Sequence, residues 1–359
     1  MLSGNELFKG MLESTYFSSM QRRPRWMVRL FLKPKVLSGM SGKKLEGDIP
    51  VIYFDYSDNL KIDGLKYVRL IPFSRLCKNR VLEAYFTGYE GISKKLKCSA
   101  VIPELVQLFE RYYIVFRNMI DEHNIKAIVL TGLVGIYEAA LLQLSLDRGI
   151  PVFCCQHGIY YKLYPSKKLL KNVRFFASGN EECKLLFREG IPLFHVYNTG
   201  SPFFDGILEY KKKSRKRYIV ILAQPLCDNE IDVDDYKNCL SLIKARFPGS
   251  HVVVKLHPRD LSSGIYRRLG FKVSSSLSRK GLYRLLASAR CVYGFESTAE
   301  LESMMLGVPV IVHDGVRFNP IDYPYKKIKV KDQKKYIEDN FILDGKSKER
   351  IWNILCSYR

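Results

Sequence analysis

The chain has 359 residues, 47% of them hydrophobic and 26% charged, which excludes a disordered or fibrous protein and leads to two globular domains as the expectation. Lys and Arg number 58 against 36 Asp and Glu, a formal net charge of +22, and such a field draws phosphorylated substrates, anionic membrane surfaces or nucleic acid. No zinc-finger spacing, glycine–arginine tract or aromatic-and-basic RNA-binding signature accompanies the charge, so no nucleic-acid partner is expected.

Residues 1–46 carry the least pattern. Glu6, with no long apolar core behind basic residues, does not read as part of a signal peptide. Residues 21–35 interleave Arg22, Arg23, Arg25 and Lys33 with Trp26, Leu30 and Phe31. Two readings stand. The segment rests on an anionic membrane surface, which makes the protein peripheral on the cytoplasmic face, or it is a solvated helix packed on the body. No apolar run in the chain reaches the ~20 residues of a transmembrane helix.

Val51–Phe54 and Tyr67–Ile71 read as core strands, and Ala100–His123 has helical apolar spacing. Ala127–Leu130 is a buried strand. The small-residue turn Thr131–Gly135 leads into a helix that carries Glu138 near its start. Gly149-Ile150-Pro151 returns the chain to the strand Val152–Cys155. Cys154 and Cys155 are the only close pair among nine scattered cysteines, and nothing has metal-ligand spacing. Reduced thiols in a cytoplasmic protein without a metal site are expected. Gln156-His157-Gly158 and Lys162 then follow at a strand's carboxyl end. An imidazole there is a candidate general base near neutral pH; alone, it would read as a histidine satisfying loop backbone groups.

Val173–Gly179 is a strand leading into a helix near Glu181–Glu189, and Val196 begins another that ends in the turn Thr199-Gly200-Ser201-Pro202. The charge run Lys211–Arg217 marks the best boundary, which divides the chain into domains of residues 1–210 and 211–359, the latter with the C-terminal helix near Ser347–Ser357. Tyr218–Leu222 opens the second domain. Its informative stretch begins at His251-Val252-Val253-Val254-Lys255-Leu256-His257-Pro258-Arg259. That is a buried parallel strand stopped by a proline without an N–H, so His257 and Arg259 stand at the carboxyl end, where open α/β sheets bind ligands. Ala289–Gly294 is a further strand. Ser297 with Glu300 three residues on reads as a capping box, and the helix so begun ends at Gly307 before the strand Val308–Val312.

A helix N-terminus offers unpaired N–H groups and a positive dipole end to a phosphate. Ser297 and Thr298 add hydroxyls there. Glu302, four residues after Thr298 and on its helix face, can accept bonds from ribose hydroxyls. Lys255, His257 and Arg259 add positive charge from the neighbouring strand end. A capping box is common on its own; combined with the His-Pro-Arg strand end, the ligand reading prevails.

These motifs resemble those of the CDP-glycerol glycerophosphotransferase (teichoic acid polymerase) family. His157-Gly158 with Lys162 is similar to its His-Gly-x-x-x-Lys, Gly200-Ser201-Pro202 through Asp205 to its Gly-x-Pro-x-x-Asp, and Lys255-Leu256-His257-Pro258 to its Arg-x-His-Pro. Ser297-Thr298 stand where it has paired serines, and bacterial sialyl- and polysialyltransferases carry a comparable His-Pro and serine pair. The resemblance spans roughly residues 125–314. It departs at Phe295, which replaces an acidic residue, and at Lys255, which lacks the bidentate fork of arginine. It implies an α/β GT-B glycosyltransferase: two Rossmann-like doubly wound domains with a cleft between them and no required metal or cofactor. Glu302 matches the ribose-binding glutamate of many such enzymes, and Gly294 replaces the glutamate usual in retaining ones, which implies inversion with a base, His157 or Glu138, from the first domain.

The resemblance thus implies transfer of a sugar or polyol phosphate from a nucleotide-activated donor to a cell-surface glycan or lipid-linked acceptor. Two other readings remain. A nucleotide-sugar 2-epimerase shares the fold but usually presents acidic residues across the cleft, and no convincing set is visible. A non-catalytic basic module on membrane or nucleic acid explains the charge, but not His157, His257 and Glu302 at strand ends and a helix start.

Overall fold

The computed structural model describes the backbone of residues 50–54 and 66–70, most of residues 113–121, and residues 125–133, 136–155, 158, 170–211, 218–224, 233–257, 263–274, 278–295, 297–313 and 324–358. Of these, the residues up to Phe203 and those from Lys346 onward form one compact unit, and Phe204–Gly345 form a second.

In the first unit, β1 (Pro50–Phe54), β2 (Lys66–Leu70), β3 (Ala127–Leu130), β4 (Val152–Cys154), β5 (Val173–Ala177) and β6 (Val196–Asn198) pair in parallel in the order β2-β1-β3-β4-β5-β6. Parallel strands are covered on both faces, which is why Ile128, Val129 and Leu130 run without a polar break and are all sealed from solvent. Helices α1 (Ile136–Arg148) and α2 (Asn180–Arg188) follow β3 and β5.

The C-terminal helix, α8 (Ser347–Cys356), belongs to this unit and not to the second, where chain continuity had placed it. Packing decides the matter. Ile351 and Leu355, one turn apart, are fully buried. Tyr358 sets its ring edge on Phe153 at 5.2 Å, and Phe153 stacks on Phe176 at 5.1 Å. Arg174 donates from Nε to Tyr358 Oη at 3.0 Å, and the Tyr358 and Tyr197 hydroxyls share a hydrogen bond of 2.6 Å. The division itself falls at Phe203, ahead of the basic run that the sequence suggested.

Burial and the Tyr358 hydroxyl push the Tyr197 phenol up to about 12. A raised phenol stabilises the fold fully below its unfolded value near 10, and loses that contribution as pH climbs through the folded one. Alkaline unfolding followed by circular dichroism alongside tyrosinate absorbance should therefore show stability falling from about pH 10. Tyr358→Phe should move Tyr197 ionisation to lower pH.

In the second unit, β7 (Tyr218–Leu222), β8 (His251–Lys255), β9 (Lys272–Ser274), β10 (Ala289–Gly294) and β11 (Val310–Val312) are parallel in the order β11-β10-β7-β8-β9. Alternation sorts their side chains. Ile219, Ile221, Val252, Val254 and Leu256 form one core with Tyr236, Leu240 and Ile243 of α3 (Val233–Ala245) and Tyr266 of α4 (Ser263–Arg268). Each fully buried aromatic or aliphatic side chain there contributes about 1.5–3 kcal/mol. On the other face lie α5 (Arg279–Ala287) and α6 (Thr298–Met305). The edge strand β11 is closed by a side chain: Gln333, first residue of α7 (Gln333–Asn340), accepts from the Val310 N–H at 3.0 Å and donates to its carbonyl at 2.7 Å. That imitation of a neighbouring strand blunts the edge.

Candidate functional site

Counted from β7, the second sheet has the order 3-2-1-4-5, so the chain reverses direction between β7 and β10. The carboxyl ends of those two strands define the crevice where open α/β sheets hold ligands. Gln224, just beyond β7, donates to the Phe295 carbonyl, just beyond β10, at 2.9 Å. The two strand ends are therefore tied together. From that point α6 begins, so its N-terminal N–H groups and dipole end stand at the switch point.

The capping box forms as the spacing predicts. Ser297 Oγ accepts from Ala299 N at 3.3 Å, and Glu300 Oε1 accepts from Ser297 N at 2.8 Å. Tyr325 donates to the Ser297 carbonyl at 3.3 Å, holding the cap from outside the helix. Ser297 and Thr298 are both half-buried. Gly294 has a steric reason of its own: a Cβ there would lie 2.2 Å from the Glu300 carboxyl carbon. The residue that the resemblance marks as a missing glutamate is the space that the capping carboxylate occupies.

Glu302 is placed differently from a carboxylate awaiting a ribose. It is 3% exposed, on the inner side of α6. Arg279 Nη2 forms a short ion pair with Glu302 Oε1, and Tyr283 donates to the same oxygen at 3.5 Å. Burial pushes the Glu302 carboxyl up, while Arg279, Tyr283 and Lys255 pull it back. Lys255 is likewise buried, its ammonium bonded to the Leu256 carbonyl, and burial lowers its pKa against the attraction of Glu302. Lys255, Arg279, Tyr283 and Glu302 thus form one charged layer between the sheet and α5–α6. His257 follows β8, beside β7, and is half-buried.

Arg279 and Tyr283 were not among the candidates read from the sequence. Their signal was present. Ser278 caps α5, accepting from Gly281 N at 3.2 Å, and Arg279 and Tyr283 are four apart on one helix face, bonded Nε to Oη at 2.8 Å.

The first unit has its own switch point, between β1 and β3. Glu138 lies in the first turn of α1, just beyond β3, but its side chain is 1% exposed and so is built into the helix start. Gly200 follows β6 with φ +76°, a left-handed turn that glycine adopts without strain. Thr199 bonds the Gly200 carbonyl at 2.8 Å, and Arg350 of α8 donates to the Thr199 carbonyl at 2.7 Å. His157, Lys162, Arg259 and the basic segment 21–35 lie outside the described residues. Among the described residues no cluster of three His, Cys, Asp or Glu could hold a metal ion, and no helix is long and apolar enough to cross a membrane.

No family model matches the chain, and no curated protein matches it. Solved structures do. The S. aureus MnaA–UDP co-structure superposes with a TM-score of 0.58 at 13% identity, covering 87% of this chain and 97% of that one. The UDP-GlcNAc 2-epimerase from Neisseria meningitidis bound to UDP-GlcNAc gives 0.56 at 14% identity, covering 86% and 99%. The fold is GT-B. The wall teichoic acid polymerase TagF also matches, at a TM-score of 0.43 and 12% identity over 100% of this chain and 98% of that one, too loose a likeness to bear on the reading.

Proposed function

We propose that the protein is an inverting, metal-independent glycosyltransferase or polyol-phosphate transferase. It takes a nucleotide-activated donor at the switch point of the second unit and delivers the group to a glycan or lipid-linked acceptor. The observation that carries the proposal is the start of α6 at the carboxyl ends of β7 and β10, with its cap enforced by Gly294. The donor phosphates take the positive dipole end of α6 and the hydroxyls of Ser297 and Thr298, with His257 and Arg259 as cationic partners. Arg279 orients Glu302 from beneath the site, with Lys255 beside the pair. Lys162 belongs to the acceptor or its phosphate, and the turn at Gly200 to the donor side. His157 is the base that takes the acceptor proton, with Glu138 in reserve because its carboxyl is enclosed. The donor is a substrate, and no resident cofactor has a role.

The test is thermal shift and calorimetry with CMP, CDP, UDP and GDP. One or more should stabilise the chain, and His257→Ala should weaken that nucleotide by about 1.5–3 kcal/mol, the scale of a hydrogen bond to a charged group. Unchanged affinity in the folded variant removes His257 from the phosphates, and no response to any nucleotide removes the site. With the donor known, His157→Ala should bind it normally and lose turnover, whereas Glu138→Gln should keep most of it. Exchanged phenotypes would move the role to Glu138.

A second reading is favoured by the solved neighbours with TM-scores above 0.5 described above, an epimerase among them: a 2-epimerase acting on a nucleotide sugar. The two separate on one measurement. Epimerisation changes the sugar nucleotide with no acceptor present, while transfer consumes it only when an acceptor is supplied.

A further inference from the structure

The loop between α2 and β6 carries an apolar tip that the nucleotide site does not use. Leu193 and Phe194 are 71% and 74% exposed in a 3-10 turn, and Phe187, in the last turn of α2, is 38% exposed. Large apolar residues exposed singly are ordinary; two adjacent ones, with a third in the helix turn that leads to them, are an apolar feature that calls for a partner. The turn is held rigidly. Gly190 N donates to Phe187 O at 2.9 Å, Ile191 N to Leu186 O at 3.0 Å and His195 N to Pro192 O at 2.9 Å, and buried Ile191 anchors its base. The His195 ring packs against Phe194 at 4.5 Å, supporting it from the protein side.

Charge surrounds the tip. Lys184 and Arg188 share the exposed face of α2 with Phe187, and exposed Lys171 precedes β5, the strand next to β6. Glu181 and Glu189 are the half-buried acids on the same helix and its cap, and Glu182 is buried. Among the described residues of α2 and the start of β5, the exposed charges are therefore basic, within a chain of net +22.

We infer that Leu193 and Phe194 are a membrane wedge that inserts into an anionic lipid surface, with Lys171, Lys184 and Arg188 at the headgroup level. Area selects lipid over protein. Three such side chains offer on the order of 400 Å², half of the ~800 Å² per partner in a standard protein interface. A lipid surface needs no matching contour, and combines an apolar insertion with basic residues as interfacial anchors do. The wedge lies at the amino ends of the strands, the end of the sheet opposite to that of Thr131 and Gly200, so it is independent of the proposed nucleotide chemistry.

The test is co-sedimentation of the full chain with phosphatidylcholine vesicles, with and without phosphatidylserine. Binding is expected to the anionic vesicles. Leu193→Ser/Phe194→Ser should weaken it by about 30-fold or more, as loss of two inserted apolar side chains demands. Lys171→Ser/Lys184→Ser/Arg188→Ser should remove its salt-sensitive part. Both variants should keep the parent's melting temperature and nucleotide response, which reports the fold and keeps this test separate from that of the nucleotide site. Absence of vesicle binding overturns the inference. So does wedge-variant binding equal to the parent, the result expected if residues 21–35 alone hold the membrane or if a protein partner covers the tip; Arg22→Ser/Arg23→Ser/Arg25→Ser identifies the former.

Discussion

Arg279→Met should lower the unfolding free energy by about 3 kcal/mol, the lower end of the cost of leaving a buried carboxylate without its cation. The lower end applies because the Arg279 side chain is itself part-exposed and water reaches the gap. The pH dependence identifies the cause. Burial already raises the Glu302 carboxyl, and removing Arg279 raises it further. A carboxyl raised above its unfolded value near 4.3 favours the fold when protonated, and that contribution is lost as pH rises through the folded value. The deficit of Arg279→Met in urea unfolding should therefore be small near pH 4 and grow towards neutrality. Glu302→Leu in the same background should recover most of it, because an apolar side chain of similar volume carries no charge to compensate. A deficit that is the same at every pH, and unchanged by Glu302→Leu, would mean that Arg279 acts through its packing on Tyr283 instead.

The strands were readable because parallel sheets demand uninterrupted β-branched runs, and Val252-Val253-Val254 or Ile219-Val220-Ile221 admit no amphipathic helix. The capping box was readable because it is local, three residues apart and chemically specific. Glu302 shows where this stops. Its position four residues after Thr298 correctly places both on one side of α6, yet a helix face does not reveal which cation waits across it. Arg279 lies 23 residues earlier in the chain, so the pair exists only once α5 and α6 pack together. The same holds for α8. The sequence leads to a helix near Ser347–Ser357, but the partners that draw it to the first unit, Arg174 and Tyr197, are 184 and 161 residues from Tyr358. Gly294 was noticed for a side chain it lacks; the reason for the gap is a neighbour's carboxylate that no spacing rule describes.

Gly294→Ala should cost about 2–4 kcal/mol of stability, from a forced displacement of about 1–3 kcal/mol added to loss of a cap worth about 1 kcal/mol. The new Cβ would fall 2.2 Å from Glu300 Oε1 and Cδ and 2.3 Å from Cγ. The side chain cannot swing away into water, because Glu300 is fully buried and Oε1 is bonded to Ser297 N. Either the strand end moves or the carboxylate leaves the cap. Both loosen the start of α6, so nucleotide affinity should fall along with stability. A cycle with Glu300→Ala apportions the effect. That change alone costs the reciprocal cap bond, but it vacates the space, so Gly294→Ala added to it should cost less than about 1 kcal/mol. If the two losses simply add, Gly294 serves the backbone rather than the carboxylate. Coupling in stability together with coupling in nucleotide affinity would show that one contact, a glycine hydrogen facing a buried glutamate, shapes both the fold and the place where the donor binds.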